Sequence, residues 1–272
     1  MKILIYIIPL FLCITSCDSF LEYKDKDQVI PSTLEHYNEL IYGELITKSS
    51  SSVCYNLHFL TDDIGDQVPS GYSEGDDREN YLSWYTWARE PQISKKGDET
   101  IDPAWEFFYH QILMCNIIEE DVKALEEDTE GVKYRLLGEV QCIRGMAYFY
   151  LVNMYGAPYE NAEQAKNAMG VPINKEISIL DKIYVRERLQ TVYDLIEEDL
   201  KSALDNFNKG EVKNTIFRPN KDVARLFLSR AYLFQKKYDK VITVCDDMIK
   251  ETIKMIVPLE EMKTYTEYSS GV

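Results

Sequence analysis

From Pro103 onward, apolar side chains return every three or four positions, the spacing of one face of a helix. Asp102 followed by Pro103 reads as an N-cap with proline at the first helical position. Trp105, Phe108, Tyr109, Ile112, Leu113, Asn116, Ile117 and Glu120 then mark a stripe, and the acidic Glu126-Glu127-Asp128 with Gly131 closes the helix. Leu136, Leu137, Val140, Ile143, Ala147, Tyr150, Leu151 and Met154 predict a second helix over Lys133 to Tyr155, stopped by Gly156-Ala157-Pro158. The pattern lapses from Tyr159 to Val185, where Val171-Pro172-Ile173 reads as a short extended piece. Helices resume over Arg188–Phe207, Lys221–Gln235 and Tyr238–Ile253.

Before Pro103 only one stretch is periodic. Leu34, Tyr37, Leu40, Ile41 and Leu45 predict a helix starting at Ser32 or Thr33. From Thr47 to Thr100 periodicity gives way to Ser, Gly, Asp and aromatics. A loop so long within a folded domain is functional or disordered. The rings Tyr55, Phe59, Tyr72, Tyr81, Trp84, Tyr85 and Trp87 argue against disorder.

At the amino terminus an apolar run from Ile3 to Ile14 follows Lys2. It makes about 18 Å of helix, well short of a ~30 Å hydrocarbon core. A charged start, a short apolar core and small residues describe a secretory leader rather than a membrane span. Ile14-Thr15-Ser16-Cys17 resembles the lipobox of bacterial lipoproteins. The resemblance implies that Cys17 takes a diacylglycerol before cleavage and becomes the first residue, its acyl chains of the palmitate kind. The alternative is a plain signal with a coincidental cysteine. More than one acyl chain anchors a protein stably. The polar stretch to Pro31 is then a tether. These boundaries divide the chain into a leader at 1–16, an anchor and tether at 17–31 and one helical domain at 32–272.

The net charge of −16 becomes −17 once Lys2 is removed with the leader. Such an acidic surface repels nucleic-acid phosphates and anionic lipid headgroups, so the membrane link is the acyl group alone. Outside the leader and Cys17, the cysteines Cys54, Cys115, Cys142 and Cys245 are scattered. Buried free thiols are usual in such contexts, and an oxidising compartment leaves a disulfide open. They form no zinc pattern.

Paired helices invite a search for repeats. LSRAYLFQKKYDKVITVCDDMI fits a tetratricopeptide template, with Leu228, Ser229, Tyr232, Tyr238, Cys245 and Met248 in place and Val241 at a position normally small. A weaker match lies around Leu137-Gly138, and any helical hairpin could match once. The fold class is therefore mainly α, with tetratricopeptide-like helical hairpins and a long irregular aromatic-rich loop.

Taken in order, several pieces of the chain resemble the SusD/RagB family of outer-membrane nutrient-binding lipoproteins. They are the lipobox at Cys17, Thr61-Asp62-Asp63, Trp105 with Tyr109, Ile112 and Asn116, and LLGEVQCIRGMAYFYLVNMYGAP with Arg144 and Tyr155-Gly156. RERLQTVYDLIEEDLKSAL, with Arg188, Tyr193 and Asp199, and the hairpin from Ala224 to Ile249 complete the series. The resemblance implies a non-catalytic protein on the cell surface at the bacterial outer membrane. It would capture oligosaccharide and pass it to a TonB-dependent outer-membrane transporter of the SusC-like kind. Family members continue past the last hairpin into a C-terminal half, so this chain is either a truncated product or a short member. A truncated form would dock on the transporter without binding ligand.

A glycan site needs rings that stack on sugars and planar polar groups that read hydroxyls. Tyr81, Trp84, Tyr85 and Trp87, with Arg78 and Asn80, supply both within one stretch. Each ring could equally pin the loop to the helices. Trp105 belongs to the core. Arg144 and Arg188 are assigned to structural pairs with an acid of a neighbouring helix, for instance Glu139 or Asp199. The acids Asp62, Asp63, Asp66, Asp76 and Asp77 lack EF-hand spacing and read as solvated, so no metal is assigned. His36, His58 and His110 are dispersed, and no phosphate loop or nucleophile elbow occurs, so neither an enzyme nor a cofactor is expected.

Overall fold

The computed structural model describes residues 30–47, 54–63, 82–91, 93, 97, 103–126, 131–178, 182–210 and 217–252. Thr33 begins the first helix. Its Oγ1 accepts the His36 amide at 3.3 Å, and α1 (Leu34–Leu40) runs on into a π-turn over Ile41–Ile46. Leu34, Tyr37, Ile41 and Leu45 face inward, as their spacing predicts.

α2 (Pro103–Ala124) opens on its proline. The Asp102 cap expected there lies outside the described residues. The buried stripe is Ala104, Phe108, Gln111, Ile112, Cys115, Asn116, Ile118, Glu119 and Val122. It departs from the expected track along the whole helix, burying Ala104, Gln111, Cys115, Ile118 and Glu119, while Trp105, Tyr109, Leu113 and Ile117 are half-buried and Glu120 is exposed. At Glu119 the inward turn goes with a buried ion pair described below.

α3 (Val132–Tyr155) is the central helix, burying residues around its whole circumference, with α2 on one side and α5 (Leu189–Lys209) on another. Close approach to α5 is what its glycines permit. A Cβ at Gly138 would stand 2.8 Å from Cδ1 of Phe207, and one at Gly145 3.0 Å from Cγ of Leu200. α4 (Ala162–Asn167) was not foreseen: a six-residue helix in a stretch read as irregular, capped by Asn161 Oδ1 on the amides of Glu163 and Gln164. Val171 does lie in a short extended contact, accepting the Glu187 amide at 3.2 Å, while Gly170 donates to Glu187 O at 2.8 Å.

α6 (Lys221–Phe234) and α7 (Tyr238–Thr252) form the hairpin that the tetratricopeptide spacing predicts. Lys236, at φ 59°, turns the chain between them. Lys237 N donates to Tyr232 O at 2.9 Å and Lys236 N to Leu233 O at 3.0 Å, the paired bonds of a Schellman close. Glu197 of α5 clamps this turn, accepting from Gln235 Nε2 at 3.0 Å, from Lys201 at 3.1 Å and from Lys237.

Thr33–Val272 forms one compact unit, and of the unit Met1–Ser32 only residues 30–32 are described. Within the larger unit two apolar clusters form. One joins α1 to the C-terminal half of α2 and the start of α3; the other joins the rest of α3 to α4, α5 and α6. Trp105 is half-buried against the second cluster, 4.8 Å from the Tyr109 ring and 5.0 Å from that of Tyr155. Its assignment to the core stands.

Candidate functional site

Three of the candidate ligand residues, Trp84, Tyr85 and Trp87, fall on one tight turn. Residues 82–85 are helical. Thr86 N and Oγ1 both donate to Leu82 O, at 2.9 and 2.7 Å. The turn then closes as a Schellman motif, with Ala88 N donating to Ser83 O at 2.9 Å and Trp87 N to Trp84 O at 3.1 Å. Buried Ser83 ties it to the following segment through a 2.7 Å bond from Oγ to Ile93 O.

The residue in the left-handed position of this motif is usually glycine. Here it is Trp87, at φ 53°, with 72% of its surface exposed. A side chain in that conformation costs roughly 1 kcal/mol against glycine. The turn thus holds a tryptophan where backbone geometry least favours a bulky residue, and presents the ring to solvent. Trp84 and Tyr85 are half-buried on the same turn, each with part of its ring packed against the chain and part open to solvent. Arg78, Asn80 and Tyr81, and likewise Cys17, lie outside the described residues.

A second concentration of polar groups lies in a cleft of about 340 Å³ bordered by α2, α3 and α5. Arg144 of α3 grips Asp199 of α5 with two bonds, Nε to Oδ2 at 2.9 Å and Nη2 to Oδ1 at 2.5 Å. Its Nη1 donates to Asn116 Oδ1 at 3.0 Å and to Glu119, both on α2. Asn116 in turn donates to the carbonyls of Asn174 and Glu176, at 3.0 Å each, tying the loop before α5 to the same knot. Gln141 donates to Glu119 at 2.8 Å. This network accounts for the burial of Glu119, which is drawn inward by a cation.

Burial works against the Arg144 charge, but Asp199 and Glu119 prevail and hold the guanidinium protonated above its ordinary range. Burial likewise pushes Glu119 up, and Arg144, Lys123 and Gln141 outweigh it and hold the carboxyl below its usual value. At Asp199, burial lifts the carboxyl and the two-point grip of Arg144 opposes it; the bidentate geometry is that of an ion pair. With each of its nitrogens engaged, Arg144 fastens three helices together. The structural assignment of Arg144, with Asp199 as partner, is correct.

Arg188 keeps its structural role but not the acid partner expected for it. It donates to the carbonyl of Asn167 at 2.7 Å and touches the Met169 sulfur, serving the chain rather than an acid. Glu139, offered as a partner, belongs elsewhere. It is almost wholly buried and accepts from Arg135 at 2.9 Å and twice from Arg218, at 2.9 and 2.5 Å. Arg218 lies in a stretch with no periodic signal, so sequence spacing offers no way to find it. Cys54, Cys115, Cys142 and Cys245 are free thiols, and burial pushes Cys115 and Cys142 far above the ordinary thiol range. Among the described residues no three His, Cys, Asp or Glu side chains gather as a metal site, and no helix is long and apolar enough to cross a membrane.

Residues 20–233 match the model of a SusD-like family described as starch-binding and associating with the outer membrane. A SusD-like protein of Bacteroides ovatus is 24% identical over 243 residues, covering 85% of this chain and 39% of its own length. SusD-like protein P25 of Formosa agariphila is 20% identical over 261 residues, covering 92% of this chain and 46% of its own. The chain thus spans less than half the length of these curated relatives. Among solved structures, a putative sugar binding protein from Bacteroides vulgatus matches with TM-score 0.65 and 25% identity, over 84% of this chain and 48% of that one. A SusD superfamily protein from Bacteroides thetaiotaomicron shares the fold at TM-score 0.63 and 21% identity, over 80% of this chain and 46% of its own. With a match that runs from residue 20 nearly to the end of α6, the chain belongs to the SusD-like family.

Proposed function

We propose that this chain is a lipid-anchored glycan-binding protein of the outer-membrane surface, non-catalytic, that hands oligosaccharide to a TonB-dependent transporter. Residues 1–16 are its leader, Cys17 its lipidated residue, 17–31 its tether and 32–272 its helical domain. The observation that carries the ligand reading is Trp87. An exposed indole held at a backbone cost by a fastened turn is a stacking platform, and family membership supplies the class of ligand. Trp84 and Tyr85 flank it on the turn, and Tyr81, Arg78 and Asn80 precede it directly in the sequence. The helical scaffold contributes rigidity through the Arg144 and Glu139 networks, and nothing in this reading asks a carboxylate to act as acid or base.

Affinity electrophoresis through gels cast with starch and other neutral polysaccharides tests the proposal. Retardation that falls about tenfold in affinity when Trp87 becomes alanine supports it, the loss expected for a ring at the centre of a contact. Release of reducing sugar by the purified chain would contradict the non-catalytic part. A second reading keeps the helical scaffold and its place at the membrane and drops the ligand. There the helical domain docks on the transporter without holding glycan. It predicts co-purification with the transporter and no retardation in any gel.

A further inference from the structure

The Arg144 network is the floor of the cleft between α2, α3 and α5, and the rim above it is chemically idle. Asn116 holds the carbonyls of Asn174 and Glu176, on either side of Lys175. Asn174 also donates its amide to the Tyr148 hydroxyl at 2.9 Å and accepts from it at 3.1 Å. The loop before α5 is thus fastened where Lys175 and Ile177 line the cleft, with Glu120 of α2 and Leu195, Glu198 and Ser202 of α5. Among the described residues, Lys175, Glu120, Glu198 and the half-buried Ser202 hydroxyl make no hydrogen bond or ion pair. Charges of both signs therefore border one cleft without meeting, which leaves a polar space between them.

The chemistry of that space selects its occupant. The lining carries one more acid than base, and the chain as a whole has a net charge of −16, so an anion is disfavoured. A sugar hydroxyl donates to a carboxylate and accepts from an ammonium at once, and both kinds of group are present here. Leu195 and Ile177 add apolar surface for the carbon face of a ring. The floor groups are held by one another, so little side-chain freedom is lost when a ligand arrives. A volume of about 340 Å³ lies at the small end of ligand sites, room for about one or two sugar rings rather than a wrapped polymer. We infer that the cleft is a second glycan subsite, taking a short neutral stretch of sugar. It rests on the glycan reading above, but none of its lining residues belongs to the Trp87 turn.

Isothermal titration of the full chain, extracted in a non-glycosidic detergent, tests it with maltotriose, laminaritriose and xylotriose, and with trigalacturonate as the acidic probe. Binding of at least one neutral trisaccharide, and none of trigalacturonate, is expected. Ser202→Trp, which fills the cleft from its rim, should weaken that titration about tenfold. Lys175→Ala, at an exposed position on the fastened loop, should weaken it roughly threefold without moving the melting curve. In a Trp87→Ala background the titration should still respond to Ser202→Trp. Retardation in starch gels with no trisaccharide bound, or with both cleft variants titrating like the parent, overturns the inference and leaves the glycan reading standing. Trigalacturonate bound as well as the neutral sugars overturns it, as does a titration that Trp87→Ala abolishes. Absence of both retardation and titration overturns the inference and the glycan reading together.

Discussion

Replacing Arg144 with leucine keeps the side chain's apolar stem and removes the cation on which α2, α3 and α5 converge. Two acids then lose their guanidinium. Glu119 keeps Lys123 at 2.8 Å and the Gln141 amide at 2.8 Å. Asp199, whose side chain is only 4% exposed, is left as a buried carboxylate without its ion-pair partner. Removing one member of a buried ion pair costs about 3–5 kcal/mol. The support remaining at Glu119 puts Arg144→Leu near the low end, about 3 kcal/mol, or a melting shift of roughly 6–12 °C for a domain of this size. Acid should shrink the difference. In the parent, Glu119 is held below its ordinary value, so its contribution is complete above the unfolded carboxylate range near about pH 4.3 and drains as pH falls through the folded value. In the variant, burial lifts Asp199 unopposed by Arg144, so protonation relieves the defect at mildly acidic pH. Urea denaturation followed by far-ultraviolet circular dichroism at about pH 7 and about pH 5 measures both effects. Asp199→Asn added to Arg144→Leu should recover part of the loss. Equal urea midpoints for parent and Arg144→Leu at neutral pH would refute the reasoning, as would a gap that widens on acidification.

Trp87→Gly removes the side chain from the left-handed position and should stabilise the turn by about 1 kcal/mol while weakening glycan retention, a pairing of gain and loss read from melting curves and affinity gels together. Gly138→Val must push against the Phe207 ring and the Ala203 carbonyl, 2.8 and 3.2 Å from the added Cβ. It should cost about 1–3 kcal/mol in thermal denaturation, and little or no loss would mean that α3 and α5 do not approach so closely. Cys17→Ala should move the chain out of the membrane fraction and abolish incorporation of labelled palmitate, whereas retention in that fraction would argue for another means of attachment.

The long helices were legible because their inward residues are aliphatic or aromatic and recur at helical spacing. The departures arise where burial is decided by charge. Glu119 turns inward to meet Arg144, whereas the periodic pattern placed Glu120 on the buried stripe. Arg218 reaches Glu139 across a long separation in sequence, and spacing holds no record of such a pair. α4 escaped because AEQAKN buries only Ala165, although Asn161 ahead of it was a usable capping signal. The aromatic turn was recognisable from composition as a place of interest. Its geometry was not, because a left-handed tryptophan closing a helical turn contradicts the local preference from which turns are read.

The central claim is that Trp87 stands exposed to hold sugar. Retardation of the parent chain in a starch gel, set beside Trp87→Ala and a Glu106→Gln control on the exposed side of α2, tests it most directly. The account predicts that parent and control are held back alike and that Trp87→Ala runs about tenfold weaker in affinity. Equal retardation of all three would contradict it, placing any glycan contact away from this turn.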